Sequence, residues 1–526
     1  MGHARVSNRT TSGAASPDDM GTLAKGGRTN IGGFAIRLVS RMPFLFAAGR
    51  LYGPDAVGRY AIAVVVIEFG ALIATLGLKR GLALALAKGK DEACTVWDAM
   101  LLATLVSLAA GGLLFALPEL MYPDGVVTRF DPWFAWTILP IALSDVAVAA
   151  LSYRRNFRAA VTARAIIEPW TISIAVLAYY YVARAEGLTL AYMTALVAAM
   201  VASVVPMARE FGWPRGWRPH PGRVAAMARL NAPLAGAETI EWGTRNVDRF
   251  ILGMVFEPKI VGIYYMAQQI SSVPQKLKSS FDPILGPVIT QSLAKNDRAA
   301  IAQQVRQVGF WIMSFQAIAA LMGSIPGEAV MGLIGPQFVA GTAALGFLLW
   351  GEVLATQGAV SEAALVYMAR HRNLAISVGM LLFQIALSFA LIFAMRWLDR
   401  SGWMIWLPSG WTKLSFPPNY QAAGPAVALM LSLTLTSLIK AGVLRRMLGA
   451  PVMAWRWSFL AAIAASVVVG TLFTLLPKRF EWVELVVGEP ALVGAFLFVV
   501  WRWSFKPEDR TLFAKLPGAG AEPLPA

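Results

Sequence analysis

Residues 54–60 read Pro-Asp-Ala-Val-Gly-Arg-Tyr, and residues 258–264 read Pro-Lys-Ile-Val-Gly-Ile-Tyr. Proline, valine, glycine and tyrosine therefore recur at a shift of 204 residues (258 − 54), and Arg41 aligns with Arg245 at the same shift. Each copy lies between a charged apolar segment and a second apolar segment. An internal repeat placed in this way predicts that the chain consists of two related halves.

The composition indicates a protein that needs lipid as its solvent. Of the 526 residues, 57% are hydrophobic and 14% are charged, and the mean hydropathy is +0.58. These values lie outside the range of soluble domains. The net charge of +16 also raises the question of nucleic acid, but the basic residues form short clusters between apolar runs instead of one patch. We therefore expect a membrane protein with no nucleic-acid partner.

Metal and cysteine chemistry find little support in the sequence. Cys94 is the only cysteine, which excludes an internal disulfide, and His3, His220 and His371 have no metal-ligand spacing. The sequence shows no convincing set of catalytic residues of the kind found in soluble enzymes, and no Gly-rich loop that would hold a phosphate. The prediction is a protein with no metal, no cofactor and no enzymatic activity.

Hydropathy predicts an all-α polytopic membrane protein with roughly fourteen transmembrane helices of about 20 residues each. Segments 29–51 and 232–256 are the two most charged of these spans. We retain both, because omitting either one would place some of the basic loops on the opposite side of the membrane from the others. The predicted spans are 29–51, 56–78, 95–117, 132–153, 165–184, 188–208, 232–256, 260–281, 307–325, 339–368, 373–395, 421–444, 455–476 and 486–502.

Lysine and arginine cluster in alternate loops, so the positive-inside rule makes those loops and both termini cytoplasmic. The first 28 residues are polar and are followed by no signal-peptide core, which predicts a disordered cytoplasmic tail in a multi-pass membrane protein. Six spans separate the two motif copies, which predicts two pseudo-symmetric six-helix lobes plus two extra C-terminal helices. The predicted regions are the tail 1–28, the N-terminal lobe 29–208, a basic cytoplasmic linker 209–231, the C-terminal lobe 232–446, the two added helices 447–504 and a cytoplasmic tail 505–526.

Charged residues within the predicted spans mark the candidate site, because an ionisable group at the bilayer centre costs at least about 2.5–3.5 kcal/mol. Arg37 and Arg41 are four residues apart and share one helix face. A second stripe has 3–4–3 spacing and is followed directly by Arg249. It consists of Glu238, Glu241, Arg245 and Asp248.

Guanidinium groups bind phosphate oxygens with two parallel hydrogen bonds, so these arginines predict a cationic cavity for a phosphate-bearing ligand. The predicted cavity comprises Arg37, Arg41, Arg245, Arg249 and Lys276. Coupling to an ion, or pairing with the arginines, is predicted for Glu68, Glu238, Glu241 and Asp248. Asp98, Asp145, Glu168, Glu352 and Glu362 are further carboxylates in or near spans that leave ion coupling open. The alternative interpretation is a stripe that neutralises itself within one helix, through Glu241 and Arg245 at i and i+4 and through Arg245 and Asp248.

The chain resembles the polysaccharide-type flippases of the multidrug/oligosaccharidyl-lipid/polysaccharide exporter superfamily. The resemblance covers most of residues 29–445 by topology. It rests on Asn-Ile-Gly-Gly-Phe-Ala-Ile-Arg-Leu at 30–38, on Tyr-Gly-Pro-Asp-Ala-Val-Gly-Arg-Tyr at 52–60 with Thr-Leu-Gly-Leu at 75–78, and on Asn-Val-Asp-Arg-Phe-Ile-Leu-Gly at 246–253 leading into Val-Gly-Ile-Tyr at 261–264.

The resemblance implies alternating access between two lobes. The implied substrate is an undecaprenyl-pyrophosphate-linked oligosaccharide, carried from the cytoplasmic to the periplasmic leaflet for lipopolysaccharide or exopolysaccharide biosynthesis. Partners implied in this way are the lipid-linked oligosaccharide and the lipid bilayer, while a polysaccharide polymerase and the export machinery stay open as further partners.

Two other functions compete with this interpretation. A drug/cation antiporter of the same superfamily should favour carboxylates and aromatic side chains over arginines in its site. A membrane-bound polysaccharide polymerase or ligase should present acids or histidines on an outer loop, but the longest predicted outer loop, 397–419, has Asp399 as its only acid.

Overall fold

The computed structural model describes residues 40–88, 91–212, 217–279, 282–402, 404–407, 410–413, 415–475 and 483–505. Arg37 and the predicted tail 1–28 lie outside these residues, as does nearly all of 505–526. Helices of the first half are α1 (Gly53–Thr75), α2 (Leu78–Lys88), α3 (Glu92–Ala116), α4 (Ile138–Tyr153), α5 (Phe157–Val161), α6 (Glu168–Val182) and α7 (Gly187–Phe211).

The second half continues with further helices and one β-hairpin. Its elements are α8 (Pro221–Val255), α9 (Pro258–Ser279), α10 (Asp282–Ala294), α11 (Arg298–Ser324), α12 (Gly327–Ile334), α13 (Thr342–Met368), α14 (Arg370–Ser401), β1 (Met404–Leu407), β2 (Gly410–Lys413), α15 (Pro418–Gln421), α16 (Gly424–Leu448), α17 (Trp457–Thr474) and α18 (Glu489–Val499). Single π-helical turns occupy Ala48–Tyr52, Thr162–Ile167, Glu484–Gly488 and Val500–Ser504, and 3₁₀ turns occupy Pro118–Leu120, Asp131–Thr137 and Pro336–Gly341.

Within the described residues, eleven helical segments are long and apolar enough to cross a membrane. The difference from the predicted fourteen falls on three segments. The first two predicted spans merge into one helical stretch, Ser40–Ala87, while α8 and α9 fall below the hydropathy threshold although they are 35 and 22 residues long. The polytopic all-helical fold class is thus confirmed, and the number of membrane crossings stays a prediction.

Both copies of the repeated motif begin a helix. Gly53 has φ +79°, which interrupts the helical backbone just before Pro54 in the first turn of α1. In the second copy, the extended residue Phe256 precedes Pro258, the first residue of α9. Proline suits this place because the first helical N–H has no intrahelical partner. The repeated motif is therefore a helix-start signal that is used twice.

The two motif copies pack directly against each other. A Cβ atom added at Gly58 would lie 1.6 Å from the carbonyl oxygen of Pro258, and one added at Gly262 would lie 2.0 Å from that of Pro54. Each proline and glycine are four residues apart and share one helix face. We call this reciprocal backbone packing of α1 and α9 the glycine contact. The repeat is conspicuous in the sequence because both glycines are needed at one interface between the halves.

The C-terminal part of the chain adds two elements to this arrangement. Helices α17 and α18 pack on each other and both contact α11. Strands β1 and β2 form an antiparallel hairpin with Trp406 opposite Trp411, inside the predicted outer loop 397–419. The hairpin is the one departure from helical and turn structure among the described residues.

Candidate functional site

The charged stripe of α8 faces protein along most of its length. Asp248 is fully buried, and Arg249 and Glu238 are each 6% exposed. Residues at 3–4–3 spacing lie on one helix face, so this helix turns its charged side towards neighbouring helices. The low hydropathy of α8 is a consequence of that buried polar face.

Arg245 pairs with a carboxylate from another helix. Its Nη1 atom contacts Oε1 of Glu352, a residue of α13 whose side chain is 7% exposed. Oε2 of Glu352 has no hydrogen-bond partner among the described residues. Pairing of Arg245 with Glu241 or Asp248 within α8, the alternative interpretation of the stripe, is wrong because each of these carboxylates is engaged elsewhere.

Arg249 connects the two halves of the chain. Its Nη2 atom lies 3.7 Å from Oε2 of Glu68 on α1, and the same atom donates to the side-chain oxygen of Asn246. The guanidinium also lies 5.7 Å from the centre of the Tyr265 ring. A cation held by a carboxylate of α1 and an aromatic ring of α9 lies at the interface between the repeated halves.

Arg41 approaches the same tyrosines from the first helical segment. It lies near Tyr60 and Tyr265, whose ring centres are 6.1 Å apart. Tyr60 also packs edge-on against Tyr192 at 5.6 Å. Tyr265 therefore has both Arg41 and Arg249, from different halves of the chain, as neighbours. Among the described residues, Arg41 forms no ion pair with a carboxylate.

Asp248 is held by neutral groups. The Tyr264 hydroxyl donates to its Oδ2 at 2.6 Å, Gln268 Nε2 donates at 3.1 Å, and the Arg249 backbone N–H donates to Oδ1 at 2.9 Å. Three donors satisfy a buried carboxylate and fix α8 against α9. Tyr264 is the last residue of the second motif copy, so part of that motif serves to anchor Asp248.

Glu238 and Glu241 lie towards the other end of the stripe and face a single cation. Arg80 of α2 contacts Glu241 Oε2 at 2.6 Å through Nη2 and Glu238 Oε1 at 3.5 Å through Nε. The neighbouring glycines of the first half are also in tight contact with α8. A Cβ atom at Gly81 would lie 1.6 Å from the side-chain oxygen of Asn231. We call this set, Arg80, Glu238, Glu241, Gly77, Gly81 and Asn231, the ionic contact.

Lys276 lies near a buried hydrogen-bond chain that ends at Glu352. Gln316 Nε2 donates to the carbonyl oxygen of Pro274 on α9, and the Thr356 hydroxyl donates to Gln316 Oε1. Thr356 is one turn beyond Glu352, and Lys276 is two residues beyond Pro274. The structure therefore places Arg249 between α8, α1 and α9, and Arg245 between α8 and α13. Lys276 lies on α9, two residues after the hydrogen-bonded Pro274, and Arg37 lies outside the described residues.

A further charge cluster, half-buried, lies around Arg164, a residue that sequence reasoning did not place in the candidate site. Arg164 lies in the π-helical turn Thr162–Ile167, where it contacts Asp145 and, at 2.9 Å, Glu168. One cation between two carboxylates explains why Asp145 and Glu168 are tolerated inside spans. The signal was present in the sequence as Arg164 and Glu168 at i and i+4.

The arrangement is suited to anion binding. Arg41 of the first half and Arg249 of the second both lie near Tyr265, and Arg245 is one helical turn from Arg249. The forked N–H donors of these guanidinium groups match phosphate oxygens. No group of three or more metal-ligating side chains occurs in the described part of the chain. Binding by the predicted residues stays a prediction.

The fold has solved relatives. The chain superposes on "Lipid II flippase MurJ, inward closed conformation" over 89% of its own length and 98% of that chain, with a TM-score of 0.66 and 13% identity. It superposes on an outward-facing multidrug resistance MATE family transporter of the MOP superfamily over 84% of its own length and 99% of that chain, with a TM-score of 0.51 and 10% identity.

The chain also superposes on a MOP superfamily transporter from Pyrococcus furiosus, over 84% of its own length and 99% of that chain, with a TM-score of 0.51 and 11% identity. That transporter is described as having a binding pocket of reverse polarity that suggests a different function. At these identities the likeness shows a shared fold. No curated protein matches the chain.

A family model described as "Polysaccharide biosynthesis protein" matches residues 48–335, more than half of the 526 residues. The matched region contains both copies of the motif and the whole charged stripe of α8. The resemblance to polysaccharide-type transporters that the motifs predict is thereby confirmed. The chain belongs to the polysaccharide biosynthesis protein family.

Proposed function

We propose that the chain is a flippase that moves a polyprenyl-pyrophosphate-linked oligosaccharide from the cytoplasmic to the periplasmic leaflet of the bacterial inner membrane. The observation that carries the proposal is that Arg41 and Arg249, which belong to different halves of the chain, both lie near Tyr265, with Arg245 one turn before Arg249 on the same helix face. A pyrophosphate bridging these groups would interact with both halves at once, which alternating access requires. Family membership and the fold shared with a lipid II flippase support the same conclusion.

The proposed topology has two six-helix lobes and cytoplasmic termini, since the basic loops then face the cytoplasm. In that orientation the glycine contact lies on the periplasmic side and the ionic contact lies on the cytoplasmic side. Both contacts are formed in the described conformation. Substrate entry then requires the ionic contact to open, and release requires the glycine contact to open.

Membrane potential favours the proposed direction. With the cytoplasm negative, moving an anionic headgroup outward gains about 2.3 kcal/mol per charge per 100 mV if the headgroup crosses the whole field. The arginines lower the cost of bringing that charge into the bilayer. Substrate charge and transport direction are therefore physically matched.

The proposal is tested in cells that lack the gene by measuring on which leaflet the pyrophosphate-linked glycan accumulates. We expect cytoplasmic accumulation that wild type reverses and that Arg41→Ala and Arg245→Ala, at matched expression, do not. Normal periplasmic delivery without the protein, with polymer alone lost, would contradict the proposal and favour a polymerase or ligase.

A further inference from the structure

The arginines of the candidate site already have anionic partners. Arg245 is paired with Glu352 and Arg249 with Glu68. A phosphate that forms two parallel hydrogen bonds with either guanidinium group must therefore displace the carboxylate that is now bound there. What happens to that carboxylate decides whether binding is linked to protons.

The two displaced carboxylates have different surroundings. The Glu68 side chain is 35% exposed, so water can hydrate it once Arg249 turns to a ligand. The Glu352 side chain is 7% exposed, and its Oε2 atom has no hydrogen-bond partner among the described residues. A carboxylate in such a place cannot remain charged and unpaired without a large desolvation penalty.

The polar neighbours of Glu352 are already occupied. The Thr356 hydroxyl donates to Gln316 Oε1, and Gln316 Nε2 donates to the carbonyl oxygen of Pro274. Neither group is placed to replace the charge of Arg245. Protonation is the remaining way to neutralise a displaced Glu352.

The charged group that contacts Glu352 is Arg245 of α8. Lys440 of α16, which packs against α13, forms an ion pair with Glu362 at 3.0 Å. Glu362 lies ten residues, or nearly three helical turns, after Glu352 on α13. The helices that pack against α13 carry the further charged side chains Lys259 and Lys276 on α9, Arg298 and Arg306 on α11, Glu328 on α12, Arg370, His371, Arg372, Arg396, Asp399 and Arg400 on α14, and Arg445 and Arg446 on α16.

We propose that Glu352 is a proton-binding residue that neutralises Arg245 while the site is empty and takes up one proton from water when a phosphate of the substrate displaces it. Arg245 stays protonated and exchanges one anionic oxygen partner for another, while the Glu352 carboxylate becomes a carboxylic acid. Each bound substrate thus carries one proton into the site. The inference rests on the proposed function and specifies its coupling.

The sign of the pH dependence follows from linkage. The ligand-bound protein holds one more proton than the empty protein, so affinity rises as pH falls. Full uptake of one proton corresponds to a change of about tenfold in Kd per pH unit. Glu352→Gln removes the titrating oxygen but keeps the side-chain shape, so its Kd should be nearly independent of pH and lower than that of wild type at pH 8.

The probe is a short-chain prenyl pyrophosphate esterified to N-acetylglucosamine, because both phosphates of a diester stay singly charged over the range tested. Calorimetric binding to the purified full chain, in buffers of different ionisation enthalpy, counts the protons taken up. We expect about one for wild type, about one for the matched control Glu68→Gln, and near zero for Glu352→Gln.

The outcomes separate the two claims. Binding by wild type with no proton uptake overturns the inference and leaves the proposed function intact, and this measurement requires no variant to fold. Uptake that persists in Glu352→Gln also overturns it, since the proton then binds elsewhere. Absence of binding by wild type overturns the inference together with the proposed function.

Discussion

The glycine contact and the ionic contact close the same interface by different means. In the glycine contact, backbone meets backbone reciprocally, with Gly58 against Pro258 and Gly262 against Pro54. In the ionic contact, one arginine of the first half faces two glutamates of the second, and its side chain is 54% exposed. The first contact is symmetric and consists of backbone packing alone, whereas the second is asymmetric and adds solvent-exposed ion pairs to the close packing of Gly77 and Gly81 on α8.

The difference indicates which end opens more easily. Close backbone packing excludes any added atom and depends little on salt. Exposed ion pairs contribute about 0–1 kcal/mol and weaken as ionic strength rises. The conformation is therefore held mainly at the glycine contact, and the ionic contact is the end that a charged ligand or a change of salt can release.

The largest expected effect comes from adding bulk at the glycine contact. Gly58→Leu places its side chain where the Pro258 carbonyl now lies, so the two helices must separate; overpacking costs about 1–3 kcal/mol, and contact with a backbone atom favours the upper end. We expect transport to fall at least tenfold. Gly442→Leu is the matched control, because its Cβ position has open space around it. Equal losses in both variants, measured by lipid-linked glycan sidedness at matched expression, would contradict the account.

Removing one partner of the Arg245–Glu352 pair comes next. Arg245→Gln leaves a buried carboxylate without its cation, which costs about 3–5 kcal/mol when nothing compensates it. We expect a lower Tm and loss of binding. The double variant Arg245→Gln/Glu352→Gln should recover most of the Tm and none of the binding. Recovery of both by the double variant would show that the pair is structural and that the arginine does not bind substrate.

The smallest effect is expected at the ionic contact. Arg80→Gln removes an exposed pair, so we expect the cytoplasmic end to open only a few-fold more often. A cysteine at Leu234, introduced after Cys94→Ser, reports this opening because Leu234 packs on Gly77 and Gly81. Its labelling rate should rise in Arg80→Gln and also rise with salt in wild type. A rate independent of both would remove the ionic contact from the gating scheme.

The repeat and the charged stripe show how far sequence reasoning reaches. Periodicity correctly assigns Glu238, Glu241, Arg245 and Asp248 to one face, because the 3.6-residue helical repeat depends only on local geometry. The partners of that face were not predictable, since a period does not say which helix lies opposite. Glu352 is 107 residues from Arg245 in the chain, and only the packing of α8 on the other helices brings them together.

Helix ends and membrane spans were harder to predict for a related reason. Helix α8 begins at Pro221 instead of 232, because proline starts a helix readily even where the sequence is too polar to be counted as a span. The same polarity removes α8 from the hydropathy count, although its charges are paired inside the protein. Hydropathy averages over all faces of a helix, so α8 scores low because of its charged face even though other side chains on it, such as Leu230 and Met254, are exposed.

The most direct test of the central claim is transport by the purified protein in liposomes, measured with a fluorescent pyrophosphate-linked saccharide lipid and a membrane-impermeant quencher. The account predicts that wild type moves the lipid between leaflets, faster with the starting compartment negative, and that Arg245→Gln/Glu352→Gln folds but does not. Movement by the double variant at the wild-type rate, or no movement by wild type, would contradict it.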